Sequence, residues 1–252
     1  MFSWRDIGTT PIIVAHRGAS ADAPENTLAA FEEAIRQGAD AIELDVRLSR
    51  DGEVVVFHDA TLGRTTDGRG FVSRKSLSQL KELDAGSWFD ETFSGECIPT
   101  LAEVLKLVRG RIGINIELKS PGRRRDGRVL ARRCADTVKR RDAERCVLFS
   151  SFQHSLLKVV TEAMPEATTG VLYDPIRHRG RKPSALARRA GSLYFMCDIR
   201  RLRKRIVKDA HAAVLNIAAY SVESREDVDR CCQLGVQALI TNRPRHLRKW
   251  LK

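Results

Sequence analysis

Eight short apolar runs rich in β-branched and aromatic residues, separated by stretches of helical periodicity, constrain this chain more than any other feature. They read "PIIVAH", "AIELDV", "IGINIEL", "VLFSSF", "TTGVLY", "SLYFMC", "VLNIAAYS" and "QALITN". Strands alternating with helices argue parallel βαβ units, and eight is the count that closes a parallel barrel. The first crossover, "ENTLAAFEEAIRQG", sets Leu28, Phe31 and Ile35 on one face, with Asn26 expected to cap its start and Gly38 to end it. Later crossovers are expected near 126–141, 154–163, 183–190, 200–212 and 224–234, the last closed by Gly235. The expected fold is α/β, a (β/α)8 TIM barrel in one domain over 1–252. At 252 residues and 42% hydrophobic the chain can fill such a core, although length alone fits two small domains equally well.

One apolar run breaks the alternation. "EVVVFHD" follows "AIELDVRLS" with only "RDG" between, too short for a parallel crossover. It is expected to fold back as an antiparallel hairpin arm outside the barrel count. If Asp51 and Gly52 centre a two-residue turn, cross-strand positions sum to 103 and His58 faces Asp45. Residues 60–99 then form the longest irregular stretch, rich in Gly, Thr and Asp, with a helical patch and the aromatics Trp88 and Phe89. Loops of this length inside compact domains are usually functional or disordered. The aromatics and the helical patch favour a small ordered subdomain inserted over the barrel mouth.

Barrel enzymes build their sites at the C-terminal ends of strands. Gathering polar residues there yields His16 and Arg17 after the first strand, Glu43 and Asp45 in the second, and Glu117 and Lys119 at the third. Residues two apart on a strand share a face, so each pair points together. Three carboxylates converging in a low-dielectric setting repel unless a cation sits among them. Hard oxygen donors suit Mg2+ or Ca2+, and such an ion polarises phosphoryl oxygens. His58 beside Asp45 would set a proton-transfer group next to those ligands at neutral pH.

Composition excludes several classes. Six cysteines without C-x-x-C spacing look like free thiols of a reducing compartment, which makes zinc unexpected. No basic start leads into an apolar leader segment and no run approaches a membrane span, so a cytoplasmic location is expected. The net charge of +12 concentrates in "GRRRDGR", "RHRGRK" and "RRLRKR". Such runs fit phosphate groups, anionic membrane surfaces or nucleic acid, and equally fit solvated helix faces.

With these residues in place, the sequence resembles the glycerophosphodiester phosphodiesterase family of the phospholipase C-like phosphodiesterase superfamily. The resemblance rests on "AHRGASADAPENTLAAFEEAIRQGADAIELDVRLSRDGEVVVFHD", "LGRTTDGRG", "LDAGSWF", "IPTLAEVL", "NIELK" and "GVQALITNRP" in this order. It implies a barrel with an inserted subdomain and one divalent cation, Mg2+ or Ca2+. The implied reaction hydrolyses glycerophosphodiesters, such as glycerophosphocholine or glycerophosphoethanolamine, to sn-glycerol 3-phosphate and an alcohol. By motif, His16 and His58 take the acid and base roles, Arg17 and Lys119 meet the phosphate, and Glu43, Asp45 and Glu117 bind metal. Which histidine acts first as acid, and whether water or the substrate's own 2-hydroxyl attacks, stay open.

The chain departs from the family at "AYSVES", where a Trp-Thr-Val-Asn-like run is usual: Tyr220 takes the Trp position and Ser221 the Thr position. Trp88, Phe89 and Tyr220 are the expected pocket residues. A phospholipase D-type activity on lysophospholipids or sphingomyelin is the alternative; it would want an apolar mouth and usually secretion with disulfides. A purely binding role for the basic barrel rests on charge alone and leaves the acids unexplained. The expected partner is a small-molecule substrate, with no nucleic acid and with peripheral contact to an anionic membrane allowed.

Overall fold

The computed structural model describes residues 2–8, 10–119 and 124–251. In its first strands, β1 (Ile12–His16) and β2 (Ala41–Leu48), a period of two sorts the side chains. Ile13, Ala15, Ile42, Leu44 and Val46 pack outward in the main core, while Val14 and Ala41 join the core inside the barrel. Glu43 and Asp45 share the parity of Ala41 and therefore point inward.

Helix α1 (Leu28–Arg36) connects these two strands. The arm β3 (Val54–Val56) leads into an insertion containing α2 (Leu77–Lys81) and then α3 (Leu101–Val108). Strand and helix alternate from there: β4 (Gly113–Leu118), α4 (Arg124–Lys139), β5 (Val147–Ser151), α5 (Ser155–Ala163), β6 (Thr168–Leu172) and α6 (Pro183–Ala190). The chain ends with β7 (Tyr194–Asp198), α7 (Lys204–Ala212), β8 (Asn216–Tyr220), α8 (Arg225–Gln233), β9 (Ala238–Thr241) and α9 (Pro244–Trp250). Parallel pairing runs β1-β2-β4-β5-β6-β7-β8-β9 and returns from β9 to β1, closing the barrel on the eight expected strands.

Trp4 plugs the barrel floor. Its indole N–H lies 3.1 Å from the Ile114 carbonyl and 2.9 Å from that of Cys146, and the Tyr194 hydroxyl donates to the Trp4 carbonyl at 2.6 Å. Above this plug Val14, Leu148, Leu172, Met196 and Ile240 fill the interior. The acidic side chains are thereby confined to the upper end, where the strands finish.

Three local expectations need correction. The hairpin pairs Val46 with Val56, so Asp45 faces Phe57 rather than His58. The loop holds three residues, not two: Ser49 N–H donates to Glu53 O, Gly52 N–H donates back to Ser49 O, and Gly52 sits at φ +85°. The cap of α1 is Thr27, whose hydroxyl accepts from Ala30 N–H at 3.2 Å, while Asn26 adopts a left-handed φ of +61°. The helix expected from residue 200 starts at Lys204. Residues Ile199–Arg201 form a separate turn capped by Asp198, and the buried Leu202 follows it in extended backbone.

The insertion has its own apolar cluster, in which Leu62, Val72, Leu80 and Ile98 pack on Val55 and Phe57 of the arm. All six cysteines are free thiols, four of them buried. Among the described residues no helix is long and apolar enough to cross a membrane. The run "GRRRDGR" falls partly outside the described residues.

Candidate active site

Parallel register levels the polar positions at the strand ends. His16 lies beside Glu43, Asp45 beside Glu117, and Glu117 beside Ser150. After β1 the backbone turns through two left-handed residues, Arg17 (φ +58°) and Gly18 (φ +87°). Gly18 has no room for a side chain, since a Cβ would lie 2.6 Å from Ala30. The turn aims the Arg17 N–H at Glu43 Oε2, 3.0 Å away.

Glu43, Asp45 and Glu117 each present an oxygen, and these atoms lie within 4.8 Å of one another. Burial raises the Glu43 pKa well above the ordinary value, and the Asp45 and Glu117 charges push it further. Burial likewise raises Glu117, with Lys119 opposing. For Asp45 burial works in the same direction, but Lys119 and Arg17 outweigh it and hold the carboxyl below its usual range.

Lys119 Nζ stands 2.6 Å from Glu117 Oε1 and 2.8 Å from Asp45 Oδ1, and Arg17 Nε stands 3.2 Å from Asp45 Oδ2. The Lys119 ammonium is thus the partner of Asp45 Oδ1, while the buried Asn115 Oδ1 and Ser150 Oγ on neighbouring strands lack a hydrogen-bond partner among the described residues. Three clustered hard-oxygen carboxylates, two of them resisting ionisation, fit the donor set of a divalent cation.

His16 Nδ1 lies 2.8 Å from Asn242 Oδ1, which also stands 2.9 Å from the Ser20 hydroxyl. An amide oxygen only accepts. The assigned tautomer therefore carries its proton on Nδ1 and leaves the Nε2 lone pair, 3.9 Å from Glu43 Oε2, facing the carboxylates. Burial first, then the Arg17 charge, lowers the His16 pKa to about 4, so the ring is neutral at physiological pH.

His58 differs: its Nδ1 meets the Asp59 carboxylate at 2.6 Å, and Arg47 holds its carbonyl at 2.6 and 2.9 Å. That grip, beyond the end of β3, brings His58 to the site despite the shifted register. Burial, joined by the Lys119 and Arg17 charges, lowers its pKa, against the opposing Asp45 charge and the hydrogen bond to Asp59.

A ladder of alternating charge joins these groups. Arg64, from the insertion, contacts Asp59 Oδ2 at 2.6 Å and Glu25 at 2.7 and 2.8 Å, and Glu25 in turn takes Arg17 at 2.8 Å. Asn26 reaches the same cluster, donating to Asp45 Oδ2 at 2.9 Å and accepting from Asp45 N–H at 3.2 Å. Glu25, Asp59, Arg64 and Asn242 carry no expectation from the sequence, and Asn26 carries only that of a helix cap. All five lie inside the quoted motifs, whose unassigned polar residues were the available signal.

A cavity of about 290 Å3 opens here, lined by Arg47, His58, Glu117, Lys119, Phe152 and Arg177 among others. Tyr220 belongs to the interior cluster and donates its hydroxyl to the Tyr173 carbonyl at 3.3 Å. Trp88 and Phe89 pack edge-to-face on each other, and Phe89 packs on Phe93; neither lines this cavity.

Neutral imidazole, fixed cations and hard carboxylates at the C-terminal face mark the chain as a (β/α)8-barrel enzyme handling an anionic substrate. Residues 16–246 match the model of the glycerophosphoryl diester phosphodiesterase family, and the chain belongs to that family. A glycerophosphodiester phosphodiesterase of Caldanaerobacter subterraneus is 38% identical over 94% of this chain and 96% of its own. Among solved structures, an Oleispira antarctica phosphodiesterase in complex with the product sn-glycerol-3-phosphate aligns with a TM-score of 0.84 and 30% identity, covering 96% and 97% of the two chains. A glycerophosphodiester phosphodiesterase from Agrobacterium tumefaciens aligns with a TM-score of 0.81 and 32% identity, covering 93% and 97%.

Proposed function

We propose that the chain hydrolyses glycerophosphodiesters, such as glycerophosphocholine or glycerophosphoethanolamine, to sn-glycerol 3-phosphate and an alcohol. One divalent cation, Mg2+ or Ca2+, would be held by Glu43, Asp45 and Glu117. The observation that carries this reading is the neutral His16, its free Nε2 turned toward three clustered carboxylates. The relative solved with sn-glycerol-3-phosphate supports the substrate class.

A bound cation supplies charge stabilisation at a phosphoryl oxygen. Arg17 and Lys119 add fixed positive charge beside the diester. His16, held neutral, accepts the proton of the attacking hydroxyl at Nε2, whether that hydroxyl comes from water or from the glycerol 2-position. His58 donates to the leaving alcohol, the Asp59 carboxylate against Nδ1 opposing the burial that lowers its pKa. The burial and Arg17 charge that keep His16 neutral, and the carboxylate of Asp59 against His58, support this division of base and acid.

The wall formed by Arg47, Lys119 and Arg177 suits a polar head group better than an acyl chain, which disfavours the phospholipase D-type alternative. Six free thiols favour a reducing, cytoplasmic setting. The test strips the protein with chelator and assays acylated and deacylated diesters as Mg2+ or Ca2+ is restored. Metal-dependent release of glycerol 3-phosphate, abolished in His16→Ala, is expected. Release without metal, or full rate in His16→Ala, would refute the reading.

A further inference from the structure

Two basic runs from different parts of the sequence meet at one cavity the proposed reaction does not use. Arg181 and Lys182, before α6, face Arg205 and Lys208 of α7 across a space of about 610 Å3. Its apolar lining comes from Tyr173, Phe195 and Ile206. Elsewhere surface arginines find acids, as in Arg128–Glu162, Arg225–Asp229 and Arg248–Asp40. Among the described residues, none of these four cations forms an ion pair. The single acid in the lining, Asp209, accepts from Ser184 N–H at 2.8 Å and its hydroxyl at 3.1 Å, pairs with none of the four cations and leaves them in excess.

Four unpaired cations around an apolar floor repel one another, and an anion between them relieves that repulsion. The loop 173–182 walls this cavity with Tyr173 and Gly180 to Lys182, and reaches the catalytic cavity through Arg177. Between these contacts it carries Ile176, 86% exposed, with Arg179 and Arg181 nearby in sequence and Arg177 paired to Asp174 at 3.5 Å. An aliphatic tip in a field of cations matches the boundary of an anionic bilayer, where apolar insertion and charge attraction act together. A free phosphate ion or a nucleic acid makes no use of Ile176.

We propose that the cavity between α6 and α7 binds the phosphate group of an anionic lipid at a membrane surface, with Ile176 entering the interface beside it. The proposal goes beyond the catalytic reading and does not depend on it. Co-sedimentation of the full chain with phosphatidylcholine vesicles, with and without phosphatidylglycerol, tests it directly. Binding to the anionic vesicles alone is expected. A cation near such a surface contributes roughly a fivefold factor in partitioning, so Arg181→Gln/Arg205→Gln/Lys208→Gln is expected to lose roughly 100-fold. Ile176→Ser should weaken binding as well.

A control triple, Lys106→Gln/Arg109→Gln/Arg141→Gln, removes equal charge around a different cavity and should keep most of the binding. An unchanged melting temperature by circular dichroism in every variant confirms folding. Equal loss in both triples would show net charge alone at work and overturn the site. Absence of vesicle binding, whether or not the chain binds inorganic phosphate or duplex DNA, would overturn the assignment to a lipid surface.

Discussion

The proposed role of His16 as neutral base places its proton on Nδ1, 2.8 Å from Asn242 Oδ1, and Asn242→Asp tests it. The substitution keeps an acceptor in place and adds a negative charge about 5 Å from the imidazolium charge centre. At an effective dielectric of about 20 this interaction is worth about 3 kcal/mol, or roughly 2 pKa units. The His16 pKa, lowered to about 4 by burial and by Arg17, should therefore rise to roughly 6. A base must be neutral to accept a proton, so the acid limb of kcat/KM contributed by His16 should move up by the same amount. At pH 5 the variant should run roughly tenfold slower relative to its own plateau, recovering by about pH 8. Asn242→Ala, which adds no charge and removes a hydrogen bond that raises the His16 pKa, should not move that limb upward. Rate profiles on a soluble glycerophosphodiester at saturating metal measure the shift. Superimposable acid limbs, or a variant relatively faster at pH 5, would refute the assignment of His16 as the neutral base.

Three further outcomes follow from particular contacts. Asn26→Ala frees Asp45 to rotate and should weaken divalent-cation binding roughly 10-fold to 100-fold by isothermal titration; an unchanged affinity would remove Asn26 from the support of the metal site. Lys119→Met should cut kcat by roughly 100-fold or more, yet bind the cation no more weakly, since the ammonium competing for Asp45 and Glu117 is gone. Weaker metal binding in this variant would contradict that account. Gly86→Ala would drive a Cβ to 1.8 Å from the Phe93 carbonyl oxygen. It should cost more than about 2 kcal/mol and lower the melting temperature by roughly 5 °C, read by circular dichroism; an unaltered melt would show that the insertion backbone yields freely.

What could be read in advance was whatever depends on short-range period. Strand parity alone placed Glu43 with Asp45 and Glu117 with Lys119, because a closed barrel leaves alternate residues no other direction to point. What escaped depends on partners distant in sequence. The hairpin register turns on Gly52 in a left-handed conformation and on Asp51, whose carboxylate is claimed by the Leu77 N–H, 26 residues on. Asn26 looked like a helix cap because Asn before a helix commonly is one. Its amide is instead committed to Asp45, and Thr27 caps the helix. Trp88 and Phe89, expected as pocket walls, pack edge-to-face on each other within the insertion, outside its apolar cluster and with Trp88 exposed. The insertion reaches the catalytic residues through Arg64, 39 residues from Glu25, and a contact of that span leaves no periodic trace. Nonetheless it closes the ladder from His58 to Asp45. The barrel therefore positions the carboxylates by strand parity, whereas the insertion orients the proposed acid through Asp59 and Arg64, and only the first of these could be read from local pattern.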